Sequence, residues 1–173
     1  DSARLDQMMG RPKGFKPASR SLSGVIVLAG VRQAPAELHT HTVLFSTCYE
    51  KEFSERFERG VFPEDPTVYL YAPADPALAP PGSRPLFLMA NAPGDGRMRW
   101  DGAAAGQAMR RMLERLRRSG LSGLADSIEV FELRHPGDFQ ERWLAPGGAI
   151  YGQNSHGWRR AFLRPPNRVW GVR

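Results

Sequence analysis

Cysteine is nearly missing: Cys48 is the single one in 173 residues. One thiol cannot close an internal disulfide, and without partners it cannot hold a metal. Beside Tyr49 it reads as a small buried hydrophobe rather than a nucleophile. Lysine is scarce as well, with Lys13, Lys16 and Lys51 the only three. Long apolar runs are absent. The longest, Gly24 to Val31, is strand-sized and far short of a bilayer span. The polar N-terminus lacks an apolar h-region, so no secretory signal is expected. A glycine fingerprint for phosphate is missing too. Gly102-Ala103-Ala104-Ala105-Gly106 opens a helix, but it does not follow a strand and lacks the G-x-G-x-x-G pattern. A nucleotide cofactor, if used, would have its pyrophosphate held outside this chain.

What is present suits one domain with a core. The chain is 41% hydrophobic, and its 18 glycines and 15 prolines call for many loops. Net charge is +6, carried almost wholly by arginine. Such a balance fits nucleic acid or an anionic membrane surface. It also fits a composition rich in Arg, Ala and Pro throughout. The basic residues are scattered and not interleaved with aromatics on a strand, so no nucleic-acid partner is expected.

Residues 1–20 read as an irregular, basic lead-in, interrupted by Gly10, Pro12, Gly14 and Pro17. Ser23 to Val31 is apolar, β-branched and continuous, which predicts a strand buried on both faces. His41 to Ser46 is a second strand. Thr47-Cys48-Tyr49-Glu50 has the capping-box pattern and predicts a helix running to Gly60. In it Phe53 and Phe57 share one face, with Glu52–Arg56 and Glu55–Arg59 pairs expected on the outside. Thr67 to Ala72 and Pro85 to Ala92 are further strands, joined by Pro73 to Pro85, a loop with five prolines. Asp101 caps a helix from Gly102 to Ser119. Its apolar stripe is Ala105, Ala108, Met109, Met112, Leu113 and Leu116, and Arg110, Arg111, Arg115, Arg117 and Arg118 read as a solvated face. Ser127 to Leu133 alternates with period two, a strand with one wet face. Asp138 is expected to cap a short helix through Trp143. This order predicts an α+β fold: a mixed, largely antiparallel sheet covered by helices on one side.

Site signals are few. His39-Thr40-His41 places two histidines on one strand face, but no third ligand has useful spacing, so no metal site is expected. Asp65, Asp75 and Asp95 sit beside prolines or glycines, where turn formation is the default. The richest stretch is Gly147-Gly148-Ala149-Ile150-Tyr151-Gly152-Gln153-Asn154-Ser155-His156-Gly157-Trp158. Glycines let a backbone approach a flat ligand closely, and a histidine among them suits proton transfer. A hydrogen-bonded turn histidine is an equal alternative. Arg164 and Arg168 read as structural.

These residues carry a resemblance. Ser21-Leu22-Ser23 runs into the first strand. His41-Thr42-Val43-Leu44-Phe45 follows with Tyr49 and Phe53. Then come Asp65-Pro66-Thr67-Val68-Tyr69, Asp75-Pro76-Ala77-Leu78-Ala79-Pro80-Pro81-Gly82, Asn91-Ala92-Pro93, Pro136-Gly137-Asp138-Phe139, and Gly148-Ala149-Ile150-Tyr151-Gly152 through Phe162-Leu163-Arg164-Pro165-Pro166-Asn167-Arg168. In this order, from about Ser19 onward, they resemble the flavin-dependent bacterial carotenoid desaturases, the phytoene-desaturase type of amine-oxidase-like flavoproteins. The Ser155-His156-Gly157-Trp158 variant looks most like the hydroxycarotenoid 3,4-desaturase branch. The family's FAD fingerprint and its terminal glycine-rich strand and helix have no counterpart here.

The resemblance implies a substrate-binding domain at 21–146 and a junction segment at 147–173 that returns toward an FAD domain absent from this chain. The complete enzyme would desaturate a long carotenoid by hydride transfer to FAD. It would be cytoplasmic and peripherally associated with a membrane surface. Tyr151 and His156 would be the catalytic residues, and Gly147, Gly148 and Gly152 would meet the cofactor. The chain alone would be inactive and could self-associate through its exposed interdomain surface. The other reading is a non-catalytic module that binds an apolar ligand or a partner protein.

Overall fold

The computed structural model describes residues 8–10, 20–32, 38–152, 154 and 162. Five strands form one sheet: β1 (Ser23–Arg32), β2 (His41–Leu44), β3 (Val68–Tyr71), β4 (Ser83–Ala92) and β5 (Ile128–Arg134), in spatial order β2-β3-β4-β1-β5. The helices are α1 (Tyr49–Ser54), continued by a π-helical turn over Glu55–Arg59, then α2 (Gly102–Arg118), α3 (Ser122–Asp126) and α4 (Pro136–Trp143). The architecture is α+β, as the residue pattern predicts. All of the strand pairings are antiparallel, so the sheet is simpler than the mixed one expected.

Strand periodicity decides which side chains enter the core. On β1, Val25, Val27, Ala29 and Val31 are buried, and their antiparallel partners on β4 include Ala90, Leu88 and Leu86. Val68 and Leu70 of β3 continue the layer. Helix α2 closes this side, packing on β1, β3 and β5 with Ala105, Ala108, Met112 and Leu116 inward. Its first turn is held by Asp101, whose carboxylate accepts from the Ala104 amide at 2.9 Å. Burial of this apolar layer is the main stabilising term.

Several local expectations are corrected. The first strand is not buried on both faces: Ile26 and Gly30 are only half-buried, and Leu28 is exposed. The capping box at Thr47 does not form. The Thr47 amide and hydroxyl both donate to Asp65 Oδ2, at 2.8 and 2.7 Å, and α1 starts after Cys48 without a side-chain cap. Cys48 itself is exposed rather than buried. Asp138 is the third helical residue of α4 rather than its cap, and it accepts from the His135 amide at 2.9 Å. The single wet face of β5 is broken by a bulge between Gly30 and Val31. Ile128 pairs with buried Val31, while Val130 pairs with Gly30 and faces out. Gly30 is small for this reason, since a Cβ there would lie 2.9 Å from Val130 Cγ2.

Helix α1 is inside out. Glu52, Glu55 and Arg56 are buried, while Tyr49, Phe53 and Phe57 are exposed. The expected ion pairs exist, but Glu52 and Arg56 face inward together at 3.4 Å, while buried Glu55 meets exposed Arg59 at 3.5 Å. Buried carboxylates need donors. Glu52 finds the Thr67 amide at 2.9 Å and hydroxyl at 2.7 Å, and Glu55 finds the Glu64 amide at 3.1 Å. The charged face therefore latches the helix onto the 61–67 loop. Arg115 likewise leaves the expected solvated face of α2. It is buried, ion-paired to Asp65 and bonded to the Phe45 carbonyl at 3.0 Å.

Candidate functional site

The sheet face opposite α2 carries no layer of helices among the described residues, yet it is apolar. Directly paired residues share a face, so the register draws its pattern. One row runs His41, Tyr71, Phe87, Leu28, Glu132 across the five strands. The next row runs Val43, Tyr69, Met89, Ile26, Arg134. At ~4.8 Å per strand each row spans about 19 Å. The middle is aromatic and aliphatic, and Leu28 and Val43 remain 42% and 47% exposed. The two ends are polar. His41 Nδ1 lies 2.8 Å from Tyr69 Oη and stacks on Tyr71 at one end, and Glu132 pairs with Arg134 at the other. Part of this face forms an open depression of about 400 Å³ bounded by Leu28, Tyr71, Phe87 and Val130. A contiguous exposed apolar face of this kind marks a surface that binds something.

The segment that the sequence singled out ends beside this face. Gly147 to Gly152 is stapled to the entry of β1. Ser23 Oγ donates to the Gly148 carbonyl at 2.5 Å, the Ile150 amide donates to Leu22 at 3.2 Å, and the Ser21 amide donates to Gly152 at 2.9 Å. Gly148 has a φ of +74°, and a Cβ there would fall on the Pro136 carbonyl. A Cβ at Gly147 would meet Arg20 and the Gly94 carbonyl. The space above these two glycines is thus taken by the chain itself. Gly152, with a φ of +73°, has nothing among the described residues within 4 Å of its Cβ direction. Tyr151 next to it reaches the open face, its hydroxyl 3.9 Å from Met89 Sδ. Partial burial pushes the Tyr151 phenol above its ordinary pKa, which keeps it a neutral donor. His156, Arg164 and Arg168 lie outside the described residues.

The comparisons with known proteins return desaturases and oxygenases. The chain is 31% identical over 95% of its length to a 1-hydroxycarotenoid 3,4-desaturase of Flavobacterium sp. (strain P99-3). It is 33% identical over 86% to a hydroxyneurosporene desaturase of Rubrivivax gelatinosus. A phytoene desaturase (lycopene-forming) of Paracoccus sp. is 29% identical over 94% of this chain. Over most of its length the chain is similar to carotenoid desaturases. Its relatives also include a 4,4'-diaponeurosporene oxygenase of Staphylococcus haemolyticus. The chain spans about a third of the length of the first two relatives, 34% and 29%. No family profile matches it.

The remaining sequence candidates have modest roles here. His41 is on the edge strand, and His39 is exposed just before it. No group of three or more His, Cys, Asp or Glu among the described residues is placed to hold a metal. Asp75 and Asp95 do form turns, accepting from the Ala77 and Arg97 amides at 2.9 and 3.0 Å. Asp65 does more, tying the Thr47 loop to Arg115 and Arg118. Burial raises its pKa, but the Thr47 amide and hydroxyl and the Arg115 guanidinium outweigh this, and it ends below the ordinary carboxylate value. No described helix is long and apolar enough to cross a membrane. The open sheet face is the feature that residue-by-residue reading missed. The signal was the second apolar alternation, Tyr69 and Tyr71 on β3 and Phe87 and Met89 on β4, which was absorbed into strand assignment.

Proposed function

We propose that this chain forms the substrate wall of a flavin-dependent carotenoid desaturase. The observation that carries the reading is the apolar face from Tyr71 and Phe87 to Leu28, which no helix among the described residues covers. A rigid polyene needs a long flat apolar surface, and side chains standing on two adjacent rows of a sheet provide one. The relatives' names supply the substrate class: 1-hydroxycarotenoid, hydroxyneurosporene and phytoene. In the complete enzyme the bound FAD would accept a hydride from the polyene. This chain's residues bind the substrate, exclude water and orient it.

The Gly147–Gly152 segment is the side of the wall assigned to the cofactor. Gly152 supplies backbone whose Cβ direction no described residue fills, and Tyr151 borders both the segment and the face. Tyr151 and His156 are assigned to the reacting end of the site, Tyr151 as a neutral hydrogen-bond donor. The half-exposed aromatic stripe Tyr49, Phe53 and Phe57 suits a membrane interface, where a water-insoluble substrate would be collected.

Carotenoid titration in detergent, followed by tryptophan quenching, tests the wall. The wild-type chain should bind saturably without flavin, and Phe87→Asp should abolish binding while the thermal midpoint stays within a few degrees. Equal binding by Phe87→Asp ends the reading. Catalytic assignment is tested in the full-length enzyme. Tyr151→Phe and His156→Ala should lower kcat more than KM, and unchanged turnover in both would remove them from the site. Binding without any turnover by the full-length protein would favour the non-catalytic binding module.

A further inference from the structure

A second cavity, of about 390 Å³, lies at the end of the sheet where β1 starts and β4 finishes, and three arginines line it: Arg20, Arg56 and Arg97. They are not equivalent. Arg97 is fully engaged. Its Nε donates to Asp95 at 2.5 Å, and its two Nη groups donate to the Glu58 and Phe57 carbonyls at 2.8 and 3.0 Å. It serves as scaffold, capping the end of the π-helical turn with positive charge. Arg56 is 4% exposed and has Glu52 at 3.4 Å, yet its Nε is buried without an acceptor. Arg20 has no ion-pair partner within 4.0 Å among the described residues, and its Nε is also buried without an acceptor. Burial lowers the Arg20 pKa and the field of Asp95 offsets this only in part, as for a cation lacking its counter-ion.

Buried donors without acceptors call for an explanation, and a bound ion is one; Arg20 and Arg56 are the two of these that line a cavity. Among the described residues Asp95 is the single carboxylate lining the cavity, and it is already committed to Arg97. We propose that this cavity binds a phosphate group, received by Arg20 and Arg56. The two arginines approach from different elements, the lead-in to β1 and the π-helical turn. A phosphate offers several divergent acceptor oxygens and can take donors from both, whereas a carboxylate favours one bidentate fork. The volume exceeds what an isolated ion needs, so the phosphate belongs to something larger. The cavity shares no lining residue with the apolar depression, although Arg20 lies against Gly147 and Ser21 is bonded to Gly152. Two sources share the chemistry: a soluble phosphate ester or pyrophosphate, and a phospholipid headgroup, for which exposed Phe57 at the cavity rim would be the apolar neighbour.

Calorimetry of the 173-residue chain with inorganic pyrophosphate, and flotation with phosphatidic acid vesicles against phosphatidylcholine vesicles, tests both. Saturable pyrophosphate binding at one site supports the proposal. Vesicle binding that pyrophosphate competes away supports the headgroup source, and pyrophosphate binding without flotation supports the soluble one. Arg20→Gln should weaken binding about tenfold or more, the usual loss for a charge-assisted hydrogen bond. Arg20→Lys keeps the charge and the fold but not the Nε–H, and it should fall between. Exposed Arg110→Gln should change nothing. The proposal is overturned by the absence of saturable binding to either probe, or by equal losses in Arg20→Gln and Arg110→Gln, which would mean a general attraction to a basic chain.

Discussion

Both faces of the one sheet carry apolar residues across their middle, yet they have opposite fates. Val27 and Leu88 point to one side and disappear under α2, while Leu28 and Phe87, their neighbours along the strands, stay in contact with solvent. Composition alone therefore does not say which apolar face is core. What separates them is a covering layer: α2 brings a complementary stripe to one side, and no described helix does so on the other. A face that keeps its apolar residues without local cover is held for something outside the local fold.

This contrast can be broken at its strongest point first. Leu88→Ala should cost about 3 kcal/mol in denaturant unfolding, because Leu88 is fully enclosed and leaves a cavity. Leu28→Ala on the other face should cost about 1 kcal/mol or less, since much of its side chain is already in water. Equal losses would mean that the open face is covered in solution, and gel filtration would then show association. Next in size is Asp65→Asn, which strands Arg115 in the interior and should cost roughly 3 kcal/mol. Its wild-type pKa is depressed in the folded state, so its stabilising contribution is present above about pH 4 and is lost as pH falls further. The variant should lose that part of the acid dependence, read as a flatter thermal midpoint between neutral pH and pH 3. Smallest is Phe53→Ser on the outward face of α1, which should shift stability by less than about 1 kcal/mol while lowering self-association, measured by light scattering. A large loss there would mean that the aromatic side of α1 is core after all.

The strands were legible because β-branched and aromatic runs bounded by Pro and Gly define them almost alone. Helix α2 was legible from one continuous stripe and the Asp101 cap. The orientation of α1 was not. Its apolar residues Phe53 and Phe57 and its charged residues Glu52, Glu55 and Arg56 both fall at helical spacing, so periodicity fits either face inward. The outcome is set by Thr67 and the Glu64 amide, which are distant in sequence and satisfy the carboxylates. The bulge opposite Gly30 was equally hidden, because it depends on pairing with a strand about a hundred residues away. Tyr151 was singled out from its glycine-flanked context. The apolar rows that it borders exist only once four strands are placed side by side. The orphan arginines of the second cavity come from segments far apart in the chain and leave no mark in the sequence.

The staple between Ser21 and Gly152 has a topological consequence. Two backbone positions 131 residues apart meet through a 2.9 Å hydrogen bond, so the two ends of the 21–152 span are neighbours in space. A unit with neighbouring ends can be spliced into a surface loop of a host domain without prying that loop apart. Whatever flanks it in a longer chain needs only to bring two strands of backbone to neighbouring points, and the host and the guest can then fold as separate bodies.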